Sequence, residues 1–218
     1  WAWDDDPGYY NMSVSPLMLD YNLLAVSIAP GDVGEPAEVS LSLPSEYPPI
    51  ANLTTTVRGE ATSITVTRKP FEGLIMVSGQ IGHEARPYQE ELTMHYPPEW
   101  AGLVFVEMLR EEGVVIDGGP VLDRDGVARD MAVEYKHLSP PLSRITALFN
   151  KPSENAIGEM LIHHLALREH GPPANWSKGS AVLENWLVEE TGLAEASFRV
   201  ADGSGLSRYN MITPEGTT

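Results

Sequence analysis

The chain lacks several features that would place it in a familiar class of protein. Its 218 residues include no cysteine, so no disulfide framework holds it, and the compartment is left open. No run of 18 apolar residues occurs, so the sequence predicts no transmembrane span. Lysine and arginine number 14 against 31 acidic residues, a net charge of -17, which argues against a nucleic-acid-binding surface. The hydrophobic fraction of 42% is normal for a globular chain that forms a core. The length is sufficient for one large or two small domains.

Two signals of a natural start are also missing. Residue 1 is tryptophan rather than methionine, and no secretory signal peptide follows it. We therefore expect a mature, processed or truncated piece of a longer protein.

Apolar periodicity in the first half of the chain predicts strands. The apolar run over residues 15–29, interrupted at Asp20–Asn22, is typical of two strands joined by a tight turn. Alternating and β-branched residues then predict a small all-β unit, with strands over residues 37–43, 52–58, 63–68 and 74–81.

A different pattern follows this β unit. The sequence at 96–100 opens a predicted helix that ends at Gly113, and the apolar residues 114–116 predict a buried strand. The change indicates an α/β layer that begins before the β unit and resumes after it.

The second half of the chain shows helical periodicity on both sides of a polar junction. The first helix is indicated by apolar residues at three- and four-residue steps, Leu142, Ile145, Leu148 and Phe149. Pro152 disfavours helical geometry at Lys151, so this helix should end there. Ser153 suits the N-cap of a second helix. The apolar face of that helix is predicted to consist of Ile157, Met160, Leu161, His164 and Leu165.

A third helix should end at Gly192. A short strand at 196–200 then leads into a turn at Asp202 and Gly203.

Ser153 and Asn155 would stand two residues apart at the start of the second helix, where a hydroxyl and an amide could both point into a cleft. The alternative is that Ser153 only caps the helix and Asn155 only faces water. An S-x-N triplet arises by chance about once in a few hundred residues, so the triplet alone does not decide.

The surroundings of this triplet, together with a later block, resemble a known family. Lys151 precedes the triplet, Ala-Ile-Gly-Glu-Met-Leu follows it, and residues 201–210 are Ala-Asp-Gly-Ser-Gly-Leu-Ser-Arg-Tyr-Asn. With Ile-Thr-Pro at 212–214 and weaker matches near the start, these residues resemble the low-molecular-mass penicillin-binding proteins. The subgroup is the D-alanyl-D-alanine carboxypeptidase/endopeptidase family, whose serine-transferase domain carries large inserts.

The resemblance implies a role for each candidate site residue. Ser153 would relay a proton to the leaving amine, and Asn155 would hydrogen-bond the acyl side chain of the substrate, with Lys151 supporting the element. The turn from Asp202 to Arg208 would border the same cleft. In that turn Ser204 and Arg208 would bind substrate, Arg208 as a bidentate donor to a peptide carboxylate. A surface salt bridge is the alternative for Arg208.

Two motifs of the resembled family are missing from this chain. Acyl transfer there needs the nucleophile and lysine of S-x-x-K, completed by S-x-N and K-T-G. The residues three before each lysine are Val66, Val133, Leu148 and Asn175, so S-x-x-K does not occur. K-T-G is absent too, and Ser-Lys-Gly-Ser at 177–180 is no substitute. We therefore expect the chain alone to form no acyl-enzyme.

We expect neither a metal ion nor a cofactor. His83 and Glu84 lack the second histidine that a zinc protease carries at helical spacing. His163, His164 and His170 have no fitting carboxylate or cysteine arrangement, so we interpret them as packing or surface histidines.

The resemblance also implies a fold: mixed α/β, part of a serine penicillin-binding (β-lactamase/transpeptidase-like) domain with an α/β layer and an inserted small all-β unit. The expected segments are 1–30 and 95–130 for the two parts of an inserted α/β domain, 31–94 for the all-β insert, and 131–218 for the helical part of the transpeptidase-like domain.

Two functional hypotheses follow. The first is a fragment of a serine-type D-Ala-D-Ala carboxypeptidase/endopeptidase that acts on peptidoglycan stem peptides, is acylated by penicillin and other β-lactams, and works in the periplasm or outside the cell. The second is a non-catalytic wall-binding or interaction module that keeps the scaffold of the family.

Overall fold

The structure, a computed structural model, describes residues 8–43, 47–69, 73–122 and 137–217. Their contacts separate them into two compact units, the first within residues 8–122 and the second within residues 137–217. Six strands and one helix belong to the first unit, and three helices and two short strands to the second, within the described residues. The predicted mixed α/β class is confirmed.

The first unit contains two three-stranded sheets, whose strands are β1 Leu23–Ala29, β2 Glu38–Leu41, β3 Ile50–Val57, β4 Thr62–Arg68, β5 Ile75–Gly82 and β6 Tyr88–Thr93. In the first sheet β1 is central and antiparallel to β2 and β6, and in the second β5 is central, parallel to β3 and antiparallel to β4. Within the described residues of this unit, one α-helix, α1 Pro97–Glu111, follows the last strand.

One apolar cluster joins both sheets and α1. Every second residue of β1 is fully buried, as the period of a strand requires, and β5 and α1 supply further fully buried side chains. Burying each such side chain contributes about 1.5–3 kcal/mol to the stability of the fold. The cluster includes Leu24, Val26, Ile28, Ile75, Val77, Ile81, Trp100 and Val104.

The strands predicted over residues 37–43, 52–58, 63–68 and 74–81 are confirmed as β2 to β5, and the helix that opens at 96–100 is confirmed as α1. The pairing of β1 adds a relationship that periodicity does not reveal. β1 lies in the segment predicted at 1–30, whereas both of its neighbours lie within 31–94. Strands of the two segments thus share one sheet, and the nested segment boundaries stay a prediction.

The prediction of two strands over residues 15–29 is wrong for the first of them. β1 begins only at Leu23, after a 3-10 turn at Asp20–Asn22 whose three residues all have positive φ. Both edges of β1 are already paired with β2 and β6, so a hairpin partner has no edge to join. The buried Asn22 instead donates its side-chain amide to the carbonyl oxygen of Met94.

The predicted strand at 114–116 is also wrong. These residues adopt no regular structure, and Val115 is 89% exposed. Arg110 of α1 donates to the carbonyl oxygens of Ile116 (3.1 Å) and Gly118. The segment therefore bonds back to the end of α1 rather than to a sheet.

The second unit contains three consecutive helices, as predicted: α2 Leu142–Asn150, α3 Asn155–His170 and α4 Trp176–Thr191. Asn175 caps α4 by accepting from the N–H of Lys178 at 2.9 Å, and Gly192 ends it in the left-handed conformation. Gly179 lets α4 cross α3 closely, because a Cβ there would lie 2.2 Å from the carbonyl oxygen of Ile162. Two short antiparallel strands follow, β7 Phe198–Arg199 and β8 Met211–Ile212.

The buried side of α3 differs from the prediction. Ile157, Met160 and Leu161 are only half-buried, and His164 and Leu165 are exposed. The buried residues are mostly small, and one of them is charged: Ala156, Gly158, Glu159, Ile162 and Ala166. Small side chains on this face allow close approach of the backbone elements that pack against it.

Candidate functional site

The junction between α2 and α3 presents Ser153 in an unusual conformation. α2 ends at Asn150 with Lys151 as its C-cap, close to the predicted end. Ser153 follows with φ of 65°, in the left-handed region that only a few per cent of non-glycine residues occupy. Residues held in such a conformation cost about 1–3 kcal/mol each and cluster at functional sites.

The prediction that Ser153 caps α3 is wrong. The N-cap position is Glu154, and no side-chain hydrogen bond caps the helix there. Because the left-handed backbone of Ser153 precedes the cap by one residue, its exposed hydroxyl is not used to satisfy the free N–H groups of α3.

Asn155 is the first residue of α3 and is half-buried. Part of Asn155 is therefore shielded from water, contrary to the alternative interpretation in which it only faces solvent. Ser153 and Asn155 lie on either side of the N-cap, at the end of the helix where the partial positive charge of the backbone dipoles is concentrated.

Residues 202–210 form a compact turn, which we call the 202–210 turn and which is organised by the buried carboxylate of Asp202. One carboxylate oxygen accepts from the N–H of Gly205 (2.8 Å) and from the side-chain amide of Asn210 (2.7 Å). The other accepts from the N–H of Ser207 at 2.7 Å. Asn210 in turn accepts from the N–H of Ala201 at 2.7 Å, so both ends of the turn are tied together.

The 202–210 turn packs directly on α3 through two glycines. A Cβ on Gly158 would lie 2.5 Å from the carbonyl oxygen of Gly203, and one on Gly203 would lie 2.1 Å from that of Gly158. Neither position therefore accommodates a side chain without movement of the backbone. Gly158 follows Asn155 by three residues, so the turn contacts α3 within one helical turn of Asn155.

Glu159 adds a polar bond to this contact. Its side chain is 0% exposed, and Oε1 accepts from the backbone N–H of Ser204 at 2.9 Å. Oε2 accepts from the indole N–H of Trp176, the first residue of α4. The ring of His163 packs edge-on against Trp176 at 4.5 Å between centroids, which gives this histidine a packing role.

The four predicted site residues thus fall on two connected elements. Ser153 and Asn155 lie at the start of α3, while Ser204 and Arg208 lie on the 202–210 turn that packs against it. Ser204 is half-buried and its hydroxyl accepts from the N–H of Leu206 at 3.3 Å, whereas Arg208 is exposed. Their assignment to catalysis and substrate binding stays a prediction.

The sequence analysis did not identify Glu159, and it assigned Asp202 to a turn without recognising that its carboxylate organises that turn. Glu159 falls between apolar residues of α3, where helical periodicity suggests a solvent-facing charge. Its partner Ser204 is 45 residues away, and no local pattern connects the two. Asp202 did carry a signal, because aspartate followed by Gly-Ser-Gly is typical of a turn in which the carboxylate bonds backbone N–H groups ahead of it.

The described ranges contain no group of three His, Asp or Glu residues arranged to hold a metal ion. None of the helices within those ranges combines the length and the apolar character that a transmembrane segment needs.

Comparison with known proteins gives a consistent result over the whole chain. The family model described as the D-Ala-D-Ala carboxypeptidase 3 (S13) family matches residues 1–217. A D-alanyl-D-alanine carboxypeptidase from Actinomadura sp. (strain R39) is 31% identical over 225 residues, 99% of this chain and 41% of that protein. D-alanyl-D-alanine carboxypeptidase DacB from Haemophilus influenzae is 22% identical over 228 residues, 99% of this chain and 45% of that protein.

Solved structures show the same likeness. Penicillin binding protein 4 from Haemophilus influenzae superposes with a TM-score of 0.77 at 22% identity, covering 99% of this chain and 48% of that one. A crystal structure of that protein complexed with a β-lactam gives 0.74 at 21% identity, covering 95% and 47%. The predicted penicillin-binding fold is confirmed, and the chain spans less than half the length of these relatives.

Proposed function

Because the chain belongs to the D-Ala-D-Ala carboxypeptidase 3 (S13) family, we propose that it supplies one wall of the active site of a serine carboxypeptidase/endopeptidase that cleaves peptidoglycan stem peptides. The single observation that carries this proposal is the packing of the 202–210 turn on the start of α3. It joins the two segments that most resemble the family, although they lie about fifty residues apart in sequence.

In the proposed reaction a serine hydroxyl attacks the carbonyl carbon of the peptide bond between two D-alanines. A tetrahedral oxyanion forms and collapses to an acyl-enzyme ester, the terminal D-alanine leaves as an amine, and water then hydrolyses the ester. This chain contains no S-x-x-K sequence, so the attacking serine and its lysine belong to a segment outside it.

The residues of this chain act on the leaving group and on the substrate. The exposed Ser153 hydroxyl relays a proton to the departing amine, which cannot leave efficiently as an anion. Asn155 hydrogen-bonds the acyl side chain and so orients the scissile bond. On the 202–210 turn, Ser204 lines the cleft and Arg208 binds the terminal carboxylate of the peptide through its planar guanidinium.

The same proposal includes acylation by β-lactams, since a β-lactam amide can take the place of the scissile peptide bond and leave a stable ester. One relative has been crystallised with a β-lactam, which supports this partner. Peptidoglycan lies outside the cytoplasmic membrane, so the proposed location is periplasmic or extracellular. No cofactor enters the mechanism.

The proposal is tested with the natural polypeptide that contains this chain. We expect this polypeptide to release D-alanine from a peptide ending in D-Ala-D-Ala. The Asn155→Ala variant should release D-alanine about tenfold more slowly, because it loses one good hydrogen bond to the substrate. Polypeptide that sediments with purified peptidoglycan but releases no D-alanine would instead favour the non-catalytic wall-binding module.

A further inference from the structure

Glu159 is the only fully buried acidic side chain in the described part of the chain. A buried carboxylate is costly unless hydrogen bonds replace its lost hydration. Its two oxygens accept from two neutral donors, the backbone N–H of Ser204 and the indole N–H of Trp176. Such a residue is unexpected on a helix face that otherwise buries small and apolar side chains.

The location of Glu159 connects three elements of the proposed site. It lies four residues after Asn155, so the two occupy the same side of α3, one helical turn apart. Ser204 belongs to the 202–210 turn, and Trp176 begins α4. A single carboxylate thus bonds the turn to α3 and α3 to α4, next to the close contact of Gly158 and Gly203.

The geometry argues against a direct chemical role for Glu159. Its side chain is fully buried, and both oxygens are occupied by donors from the protein itself. A substrate at the surface of this chain therefore does not reach either oxygen. Whatever it contributes to the reaction must act through the residues that it holds.

We propose that Glu159 is a positioning residue that fixes the separation between the start of α3, with Ser153 and Asn155, and the 202–210 turn, with Ser204 and Arg208. This inference rests on the proposed function. Both oxygens are needed: a glutamine offers one acceptor and turns an N–H₂ group towards the other donor, which would push either the turn or α4 away from α3.

Displacement of one wall of a cleft by a fraction of an ångström slows a reaction without unfolding the protein, because acyl transfer depends on the alignment of the reacting groups. A residue needed only for folding has a different signature. Its loss lowers the fraction of active molecules, but each molecule that does fold reacts at the normal rate.

The test compares three variants of the natural polypeptide that contains this chain: Glu159→Gln, Trp176→Phe and the control Glu169→Gln, an exposed glutamate on the same helix. A fluorescent penicillin gives two readouts, the fraction labelled at saturation and the rate constant of labelling per active molecule. We expect Glu159→Gln to lower the rate constant by about tenfold or more while the labelled fraction stays near that of the unmodified protein.

Trp176→Phe should give a smaller decrease, because the bond to Ser204 remains, and Glu169→Gln should behave as the unmodified protein. Trp176→Phe also serves as the decisive variant if Glu159→Gln lowers the labelled fraction. In the same natural polypeptide, faster amide exchange at Ser204 in Glu159→Gln is expected as direct evidence of a loosened turn.

Labelling rate constants that are unchanged in both Glu159→Gln and Trp176→Phe would overturn the positioning role, even if both variants were less stable. Absence of labelling in the unmodified polypeptide would overturn the proposed function itself and this inference with it. The behaviour of the unmodified polypeptide therefore separates the two failures.

Discussion

Gly158 and Gly203 meet backbone to backbone, and each stands where a Cβ would collide with the carbonyl oxygen of the other, at 2.5 and 2.1 Å. The contact joins α3 to the 202–210 turn with nothing between them. Together with the hydrogen bond from Ser204 to Glu159, it links the two segments to which we assign the chemistry.

A methyl group at Gly203 should therefore separate these segments. We expect Gly203→Ala to lower the free energy of unfolding by about 1–3 kcal/mol, the usual cost of overpacking, because the neighbouring atoms are backbone and cannot rotate away. Urea unfolding followed by circular dichroism measures the change. Gly119→Ala is the control, since a Cβ there meets nothing within 4 Å. Equal stability of the two variants would show that the glycine contact has room for a methyl group.

The carboxylate of Asp202 should be the main support of the turn itself. Asp202→Ala leaves the N–H groups of Gly205 and Ser207 and the amide of Asn210 without their acceptor. We expect a loss of roughly 3 kcal/mol in the free energy of unfolding, since a buried donor left unsatisfied costs about 1–3 kcal/mol and one of these three bonds is buried while two are partly buried. Glu190→Ala, an exposed acid of α4, is the control. A loss no larger than that of the control would contradict the assignment.

The phenol of Tyr88, in the first unit, should lose its proton at a higher pH than a free tyrosine does. Tyr88 donates to Glu90 at 2.5 Å, and this hydrogen bond, with partial burial and the nearby carboxylate charge, raises the pKa of the Tyr88 phenol above 10.0. The fold favours the protonated phenol, so its stabilising contribution is present below the unfolded pKa and is lost as pH rises through the higher folded pKa. The difference in phenolate absorbance between the chain and Tyr88→Phe isolates this titration. In a Glu90→Gln background the pKa of Tyr88 should move towards 10.0. An unchanged pKa in that background would show that Glu90 does not cause the increase.

The sequence predicted the elements that depend on local patterns and failed where distant segments meet. β-branched alternation located β2 to β5, and the Pro-Pro sequence located the start of α1. The apolar residues 114–116 were predicted as a strand, but a strand needs a partner edge, and composition cannot tell whether one is free.

The candidate site shows the same division. The S-x-N triplet and the later Gly-rich block were found through their residue types, and the junction between two helices was predicted near Pro152. The buried face of α3 was wrongly predicted, because periodicity weighs large apolar residues, whereas this face packs against backbone and needs small ones. Glu159 could not be found at all, since its role depends on Ser204 and Trp176, which become neighbours only in the folded chain.

The most direct measurement of the central claim is the rate of penicillin acylation with and without the Ser153 hydroxyl. In the natural polypeptide that contains this chain, Ser153→Ala should slow labelling by about 100-fold or more, as expected for loss of a proton-transfer group. Ser143→Ala, an exposed serine of α2, should leave labelling unchanged, and the 218-residue chain alone should not be labelled. Labelling of Ser153→Ala at the normal rate, or covalent labelling of the 218-residue chain, would contradict the account.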